Sequence, residues 1–318
     1  MRRDDRVSQD TPTGSSYDVV IIGAGPAGLT AGMYCARQGL SAAVVGGEVG
    51  GQAGWAGKIE NYLGWQAVTG PELVAAFREH VARFGVVCFE GQLVNALVPG
   101  DDGGFDVYTR EGTTLAARAV IIATGKAPNR LAVPGETELI GRGVSYCATC
   151  DAAFFTGADV AVVGPGESAA DAALQLARLG ARPIVLSERE LVVPDAVRTA
   201  LEAEPSITLQ PGVKVVAIEG SDSVTGIIVR DIRSREEETL PLKGVFIETG
   251  AIAAAEFTAG LIESNEKGEI IVDKRCATSL PGVYAAGDVT DGLGKQVIIA
   301  AGEGARAAVA AGRDLKRR

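Results

Sequence analysis

The sequence predicts an α/β protein of two parallel-sheet domains, one inserted in the other. A β-branched run from Tyr17 to Ile22 leads into Gly23-Ala-Gly25-Pro26-Ala27-Gly28 and then a helical pattern from Leu29 to Gln38. The cycle returns at Ala158 to Val163, with Gly164-Pro-Gly166-Glu167-Ser168-Ala169 and a helix from Ser168 to Leu179. Strand, glycine turn and helix in this order make a Rossmann-like dinucleotide-binding unit. Near the end, Gly282 to Asp288 is a strand that returns to the first domain. The expected type is the three-layer ββα dinucleotide-binding fold. The expected boundaries are a disordered tail at 1–16, a first domain of 17–127 and 251–318, and an inserted domain of 128–250.

Each element follows from its pattern. In the first turn, Gly23 permits the bend, Gly25 lets backbone approach a pyrophosphate, and Gly28 lets helix and strand pack closely. The helix N-terminus then faces the phosphates. The second strand, Ser41 to Val45, ends near Glu48, the candidate ribose-binding acid. A helix from Pro71 to Phe84 shows apolar spacing at Leu73, Phe77 and Val81, with His80 as a surface or packing residue. Short strands follow at Val86 to Phe89, Leu93 to Val98, Phe105 to Thr109 and Thr113 to Arg118, then a separate buried strand from Ala119 into Gly125. In the second domain, strands are expected at Pro183 to Leu186, Val213 to Glu219, Val224 to Arg230, Thr239 to Leu242 and Val245 to Gly250, with Glu236–Glu238 as a solvated turn. Asp288 ends a strand where a carboxylate can hold a ribitol or ribose hydroxyl. Lys295-Gln296-Val297 opens a last helix that runs through Ala311, whose N-terminus can stabilise negative charge on a reduced ring.

Composition narrows the function classes. A net charge of −10 argues against a nucleic-acid binder and against a basic membrane-binding surface. No apolar run is long enough to span a bilayer. The polar start, with no apolar signal-peptide core, makes the cytoplasm the expected setting.

The chemistry centres on Ser145-Tyr-Cys147-Ala-Thr-Cys150-Asp151. Two thiols at this spacing can close a small disulfide or open to a dithiol. At a helix start, free N–H groups favour the thiolate. Asp151 is placed to carry protons. A zinc site needs four ligands, and the other cysteines, Cys35, Cys88 and Cys276, are isolated, as is the single histidine. No metal is expected. A purely structural role is the weaker reading, because so short a ring constrains the unfolded chain little.

These motifs, in this order, resemble those of the low-molecular-weight thioredoxin reductases and of the reductase part of the alkyl hydroperoxide reductase flavoprotein. The resemblance rests on Gly23-Ala-Gly-Pro-Ala-Gly28, Gly50-Gly-Gln52, Glu60-Asn61, Ala123-Thr-Gly125, Cys147-Ala-Thr-Cys-Asp151, Gly287-Asp288 and Lys295-Gln296. It implies tightly bound FAD, held also by Gly51, Gln52, Asn61, Ala123, Thr124, Gly125, Gly287, Asp288, Lys295, Gln296 and Val297. It further implies a homodimer in which one domain swings on the other. Cys150 would contact the flavin, Cys147 would attack a thioredoxin-like protein disulfide, and Asp151 would protonate the leaving thiolate.

The departures bear on the electron donor. NADPH-using relatives carry His-Arg-Arg-x-x-x-Arg where this chain has Ser187-Glu188-Arg189-Glu190-Leu191-Val192-Val193. Guanidinium groups clamp the 2′-phosphate, and Glu188 reverses one of those charges. A carboxylate suits the ribose diol of NADH instead. Pro165 removes one N–H from the phosphate turn, and Ala253-Ala254-Ala255 stands where relatives have Pro-Asn-Thr. The candidate nucleotide site is therefore Gly164, Gly166, Glu167, Ser168, Glu188 and Arg189. NADPH is disfavoured, and the donor stays open between NADH, ferredoxin and a second flavin. The alternative of another class is a flavin-containing redox sensor or binding protein without nicotinamide turnover.

Overall fold

A computed structural model describes residues 15–101 and 103–317. In chain order its elements are β1 (Ser15–Ile22), α1 (Pro26–Arg37), β2 (Ala42–Gly46), α2 (Gly70–Ala82), β3 (Val87–Glu90), β4 (Val94–Pro99), β5 (Phe105–Thr109) and β6 (Thr114–Ile122). There follow β7 (Lys126–Pro128), β8 (Val144–Ser145), α3 (Ala148–Asp151), β9 (Asp159–Val163), α4 (Glu167–Arg178), β10 (Arg182–Ser187), α5 (Asp195–Ala203), β11 (Thr208–Pro211), β12 (Val213–Gly220), β13 (Val224–Asp231), β14 (Glu237–Pro241) and β15 (Gly244–Ile247). The chain closes with β16 (Ala251–Ala253), β17 (Val283–Ala285) and α6 (Val297–Leu315). These fall into two compact units. One holds the described residues up to Gly54, Pro71–Lys126 and the chain from Ala253 onward; the other holds Trp55–Gly70 and Ala127–Ile252.

In the first unit the strand order is β3-β2-β1-β6-β5-β4, with β17 also on β6. The β1 run is buried on both faces, as a central parallel strand must be. Val19 and Ile21 join a core with α1 and α6, while Val20 and Ile22 join a second core on the opposite face. Burial of each such side chain stabilises by roughly 1.5–3 kcal/mol. Thr114–Ile122 is one strand rather than the two expected. Its first half pairs antiparallel with β5, and its second half pairs parallel with β17. No turn residue separates Arg118 from Ala119, so nothing breaks the chain where its partner changes.

The second unit repeats the plan. A parallel sheet, β11-β10-β9-β15-β8, carries α4 and α5 against one face and the antiparallel sheet β12-β13-β14 against the other. Along β9, Val160 and Val162 feed one core and Ala161 and Val163 feed the other. Buried Glu136 accepts Leu131 N–H at 3.1 Å, Ala132 N–H at 2.7 Å and Tyr146 O–H at 2.6 Å. Those three donors offset the cost of burying a carboxylate.

Three expectations are corrected in detail. Ser15 and Ser16, assigned to the tail, begin β1; residues 1–14 lie outside the described set. Glu237 and Glu238 are strand residues, with Glu237 paired to Arg230 at 2.6 Å, because an exposed sheet edge tolerates charge. Trp55–Gly70 groups with the second unit, where Arg130 lies 5.8 Å from the Trp55 ring centroid. Among the described residues no helix is long and apolar enough to cross a membrane.

Candidate functional site

The first glycine turn is built by close backbone contact. Gly23 has φ +112°, and a Cβ there would lie 2.2 Å from the Ala123 carbonyl oxygen. A Cβ on Gly28 would lie 1.8 Å from the Gly23 carbonyl oxygen. Gly25, by contrast, faces open space and caps α1, with Pro26 at the helix start and Ala27 buried. No acidic residue lies in the first turn of α1, so its free N–H groups present uncompensated positive charge.

Further predicted residues surround this turn within the same unit. Gly51 approaches the Gly25 Cα to 3.6 Å from where its own Cβ would sit. Gln52 Nε2 donates to the Lys126 carbonyl. Gly125 has φ +71° and open space where a Cβ would stand. Among the described residues, buried Thr124 Oγ1 has no hydrogen-bond partner. Gly287 has φ +80°, and its N–H donates to Glu303 Oε2 at 2.8 Å. Gln296 caps α6, which begins at Val297. Burial raises the Asp288 carboxyl, against the pull of Lys295 and Lys126. Burial, and then Lys126, lowers Lys295, whose Nζ donates to the Thr290 carbonyl at 2.5 Å. Burial disfavours charge on Glu269 too, yet hydrogen bonds from Lys126 at 2.5 Å and Asn265 at 2.6 Å hold it below the usual carboxylate range. Two predicted residues stand differently. Glu48 is exposed at the sheet end, and Asn61 lies exposed on the segment grouped with the second unit.

In the second unit, Cys147 and Cys150 form a disulfide with Cα atoms 5.3 Å apart. Cys147 caps α3, and its Sγ accepts the Cys150 N–H at 3.2 Å. The helix at which the pair sits is only four residues long, so its dipole is small. Local N–H groups matter more than any macrodipole here. Ser145, buried on β8, accepts the Cys147 N–H at 3.0 Å and hydrogen-bonds Asp151. Burial raises the Asp151 carboxyl, and the Ser145 bond opposes the rise. Asp151 thus retains its proton to higher pH than an exposed aspartate, as a general acid requires.

The second glycine turn differs from the first. A Cβ on Gly164 would meet the Glu248 carbonyl oxygen at 2.3 Å, and Gly166 is open. The first turn of α4 carries Glu167, and Ser168 Oγ donates to Glu248 Oε2. Burial raises the Glu248 carboxyl; the Ser168 hydroxyl and the Ala148 N–H oppose the rise. Glu188 and Arg189 are exposed after β10, with Glu188 3.8 Å from Lys214 Nζ. The loop beyond them closes on the turn through Val192 N–H to the Pro165 carbonyl at 2.7 Å. Val193 packs partly buried, so it offers a phosphate nothing.

Sequence reasoning missed Ser145, Glu248, Glu269 and Glu303 as site residues. Ser145 stood two residues before the pair, but spacing alone does not say that its hydroxyl turns toward Cys147 and Asp151; Glu248 stood three after a buried strand began, and its partner Ser168 lies 80 residues away.

The pattern of the pyridine nucleotide-disulphide oxidoreductases matches residues 17–304. An alkyl hydroperoxide reductase component from Pseudomonas putida is 38% identical over 299 residues, covering 93% of this chain and 58% of its own length. The NADH dehydrogenase of Bacillus subtilis is also 38% identical, over 296 residues, with the same coverage of both chains. The chain therefore spans 58% of the length of these curated relatives. Among solved structures, thioredoxin reductase from Streptococcus pyogenes superposes with a TM-score of 0.91 at 34% identity, covering 96% of this chain and 99% of that one. Thioredoxin reductase from Giardia duodenalis gives 0.87 at 31% identity, covering 95% and 99%.

Proposed function

The chain belongs to the pyridine nucleotide-disulphide oxidoreductase family, and on that premise we propose that it is an FAD-dependent reductase of a thioredoxin-like protein disulfide. The Cys147–Cys150 disulfide beside a carboxyl raised by burial is the observation that carries this reading. The residues of the first unit fit FAD. The open face at Gly25 leaves room for a pyrophosphate, and the unpartnered Thr124 hydroxyl and the Asp288 carboxyl supply polar contacts. When bound, FAD supplies the two-electron reduction of the disulfide.

The protein's own groups do the rest. In the dithiol form, the Cys147 thiolate attacks one sulfur of the partner disulfide. That S–S bond breaks, a Cys147–partner disulfide forms, and Asp151 gives its proton to the leaving thiolate. Cys150 then attacks Cys147 Sγ, releasing the second partner thiol and restoring the Cys147–Cys150 disulfide. Asp151→Asn should lower kcat by about a hundredfold. In the wild type, kcat should fall as pH rises through the raised Asp151 pKa; in the variant that limb should vanish. A raised carboxyl stabilises the fold at acid pH and loses that contribution as pH rises, so the variant should be no less stable at neutral pH. A kcat–pH profile and a thermal melt check both. An unchanged profile would remove Asp151 from the mechanism.

For the donor, Glu188 supports NADH over NADPH, and the relative from Bacillus subtilis is named an NADH dehydrogenase. Glu188→Arg should raise the NADPH-to-NADH ratio of kcat/KM by about tenfold to a hundredfold, the gain of a charge-assisted hydrogen bond in place of repulsion. Glu188 is exposed and only distantly paired, so little stability should be lost. A ratio that does not move would place the ribose elsewhere. Following the visible flavin absorbance under anaerobic titration tests the whole reading. Bleaching by NADH supports it; bleaching by a dithiol but by neither nucleotide would move the search to ferredoxin or a second flavin. A homodimer and a cytoplasmic setting belong to the same proposal.

A further inference from the structure

The second glycine turn already faces an anion of the chain's own. In a dinucleotide site, the N–H groups and hydroxyls at the start of the helix serve the pyrophosphate. Here the Ser168 hydroxyl, in the first turn of α4, is committed to Glu248 Oε2. The same carboxylate accepts the N–H of Ala148, the residue that follows Cys147. Glu248 stands directly after β15, and its backbone touches the turn at Gly164. The half-buried carboxylate is therefore held by two donors from two different elements, α4 and α3. A second acid, Glu167, lies in the first turn of α4, whereas α1 has none at the equivalent place.

We propose that Glu248 sets the affinity of the second glycine turn for a dinucleotide: a built-in carboxylate that takes the Ser168 hydroxyl and presents like charge to an incoming pyrophosphate. A dinucleotide then meets like charge and a Ser168 hydroxyl already spent. Glu248 thus sets how weakly the second unit holds any nicotinamide dinucleotide, whichever ribose Glu188 prefers.

This rests on reading the second unit as nucleotide-binding, so the test measures binding rather than turnover. NADH is titrated calorimetrically into the oxidised flavin-loaded protein, as wild type, Glu248→Gln and Ser168→Ala. Glu248→Gln keeps an acceptor for the Ala148 N–H but loses the charge, and should bind NADH at least ~10-fold more tightly. Ser168→Ala should match the wild type within about twofold, because its hydroxyl is not available to the ligand. Glu248→Gln binding no tighter than wild type overturns the proposal. So does a loss of about fivefold or more in Ser168→Ala, which would show the hydroxyl serving the phosphate. If circular dichroism shows Glu248→Gln unfolded, Ser168→Ala alone decides. Absent disulfide turnover with the expected binding pattern would strike the proposed function and leave this inference standing.

Discussion

Replacing Cys150 by serine is expected to lower disulfide turnover by on the order of a thousandfold or more, and to leave Cys147 joined to the partner protein. The reasoning is chemical. Cys147 still attacks the partner disulfide, but a serine hydroxyl cannot displace the partner thiol from the resulting mixed disulfide. The adduct should appear on a non-reducing gel as a species of summed mass that collapses on reduction. Cys147→Ser should give no adduct. The fold should survive both changes, since a disulfide between residues three apart constrains the unfolded chain by only roughly 2 kcal/mol. A Cys150→Ser protein running at full rate, or an adduct carried on Cys150 in the Cys147→Ser protein, would reverse or remove these roles. Of the remaining thiols, the exposed Cys88 is controlled for by the Cys147→Ser protein, which keeps it. Cys35 and Cys276 are buried, and burial pushes their pKa values up to about 12 and about 11, far from a reactive thiolate at neutral pH.

Gly28→Ala should cost about 2–3 kcal/mol or more of stability and leave the purified protein without flavin. The added methyl would stand 1.8 Å from the Gly23 carbonyl oxygen, a backbone atom with no rotamer to escape into. Gly23 cannot yield, because its own Cα faces the Ala123 carbonyl and its φ is +112°. The turn must therefore open, and with it the cradle at the start of α1. Gly25→Ala is the informative contrast. Gly25 has φ −74° with open space beside it, so the fold should hold while the approach of a pyrophosphate is blocked. Thermal melts and visible absorbance of the two variants separate these effects. A yellow Gly28→Ala protein as stable as wild type would mean that the close contact at this turn is not required.

Continuous β-branched and apolar runs made the parallel strands legible. The run from Val19 to Ile22 can only be buried on both sides, and it is. Helices with strong signals came through as well, with ends displaced by one to four residues: the expected Ser168 to Leu179 is Glu167–Arg178, and the last helix, expected through Ala311, runs to Leu315. The helix Asp195–Ala203 escaped notice because its apolar face is little more than Val197 and Leu201 over two turns. The strand Thr114–Ile122 was divided because a run that changes partners keeps no single pattern.

By itself the sequence determined where the glycine turns stand, that Cys147 and Cys150 are close enough to join, and that Asp151 is their neighbour. Each of these depends on residues adjacent along the chain, where spacing fixes geometry. The tertiary structure alone decided that Glu303 holds the Gly287 amide and that Glu248 takes the Ser168 hydroxyl. The last of these joins residues 80 apart in sequence. Such contacts are set by which strand ends the sheet brings side by side, and a one-dimensional pattern carries no record of that.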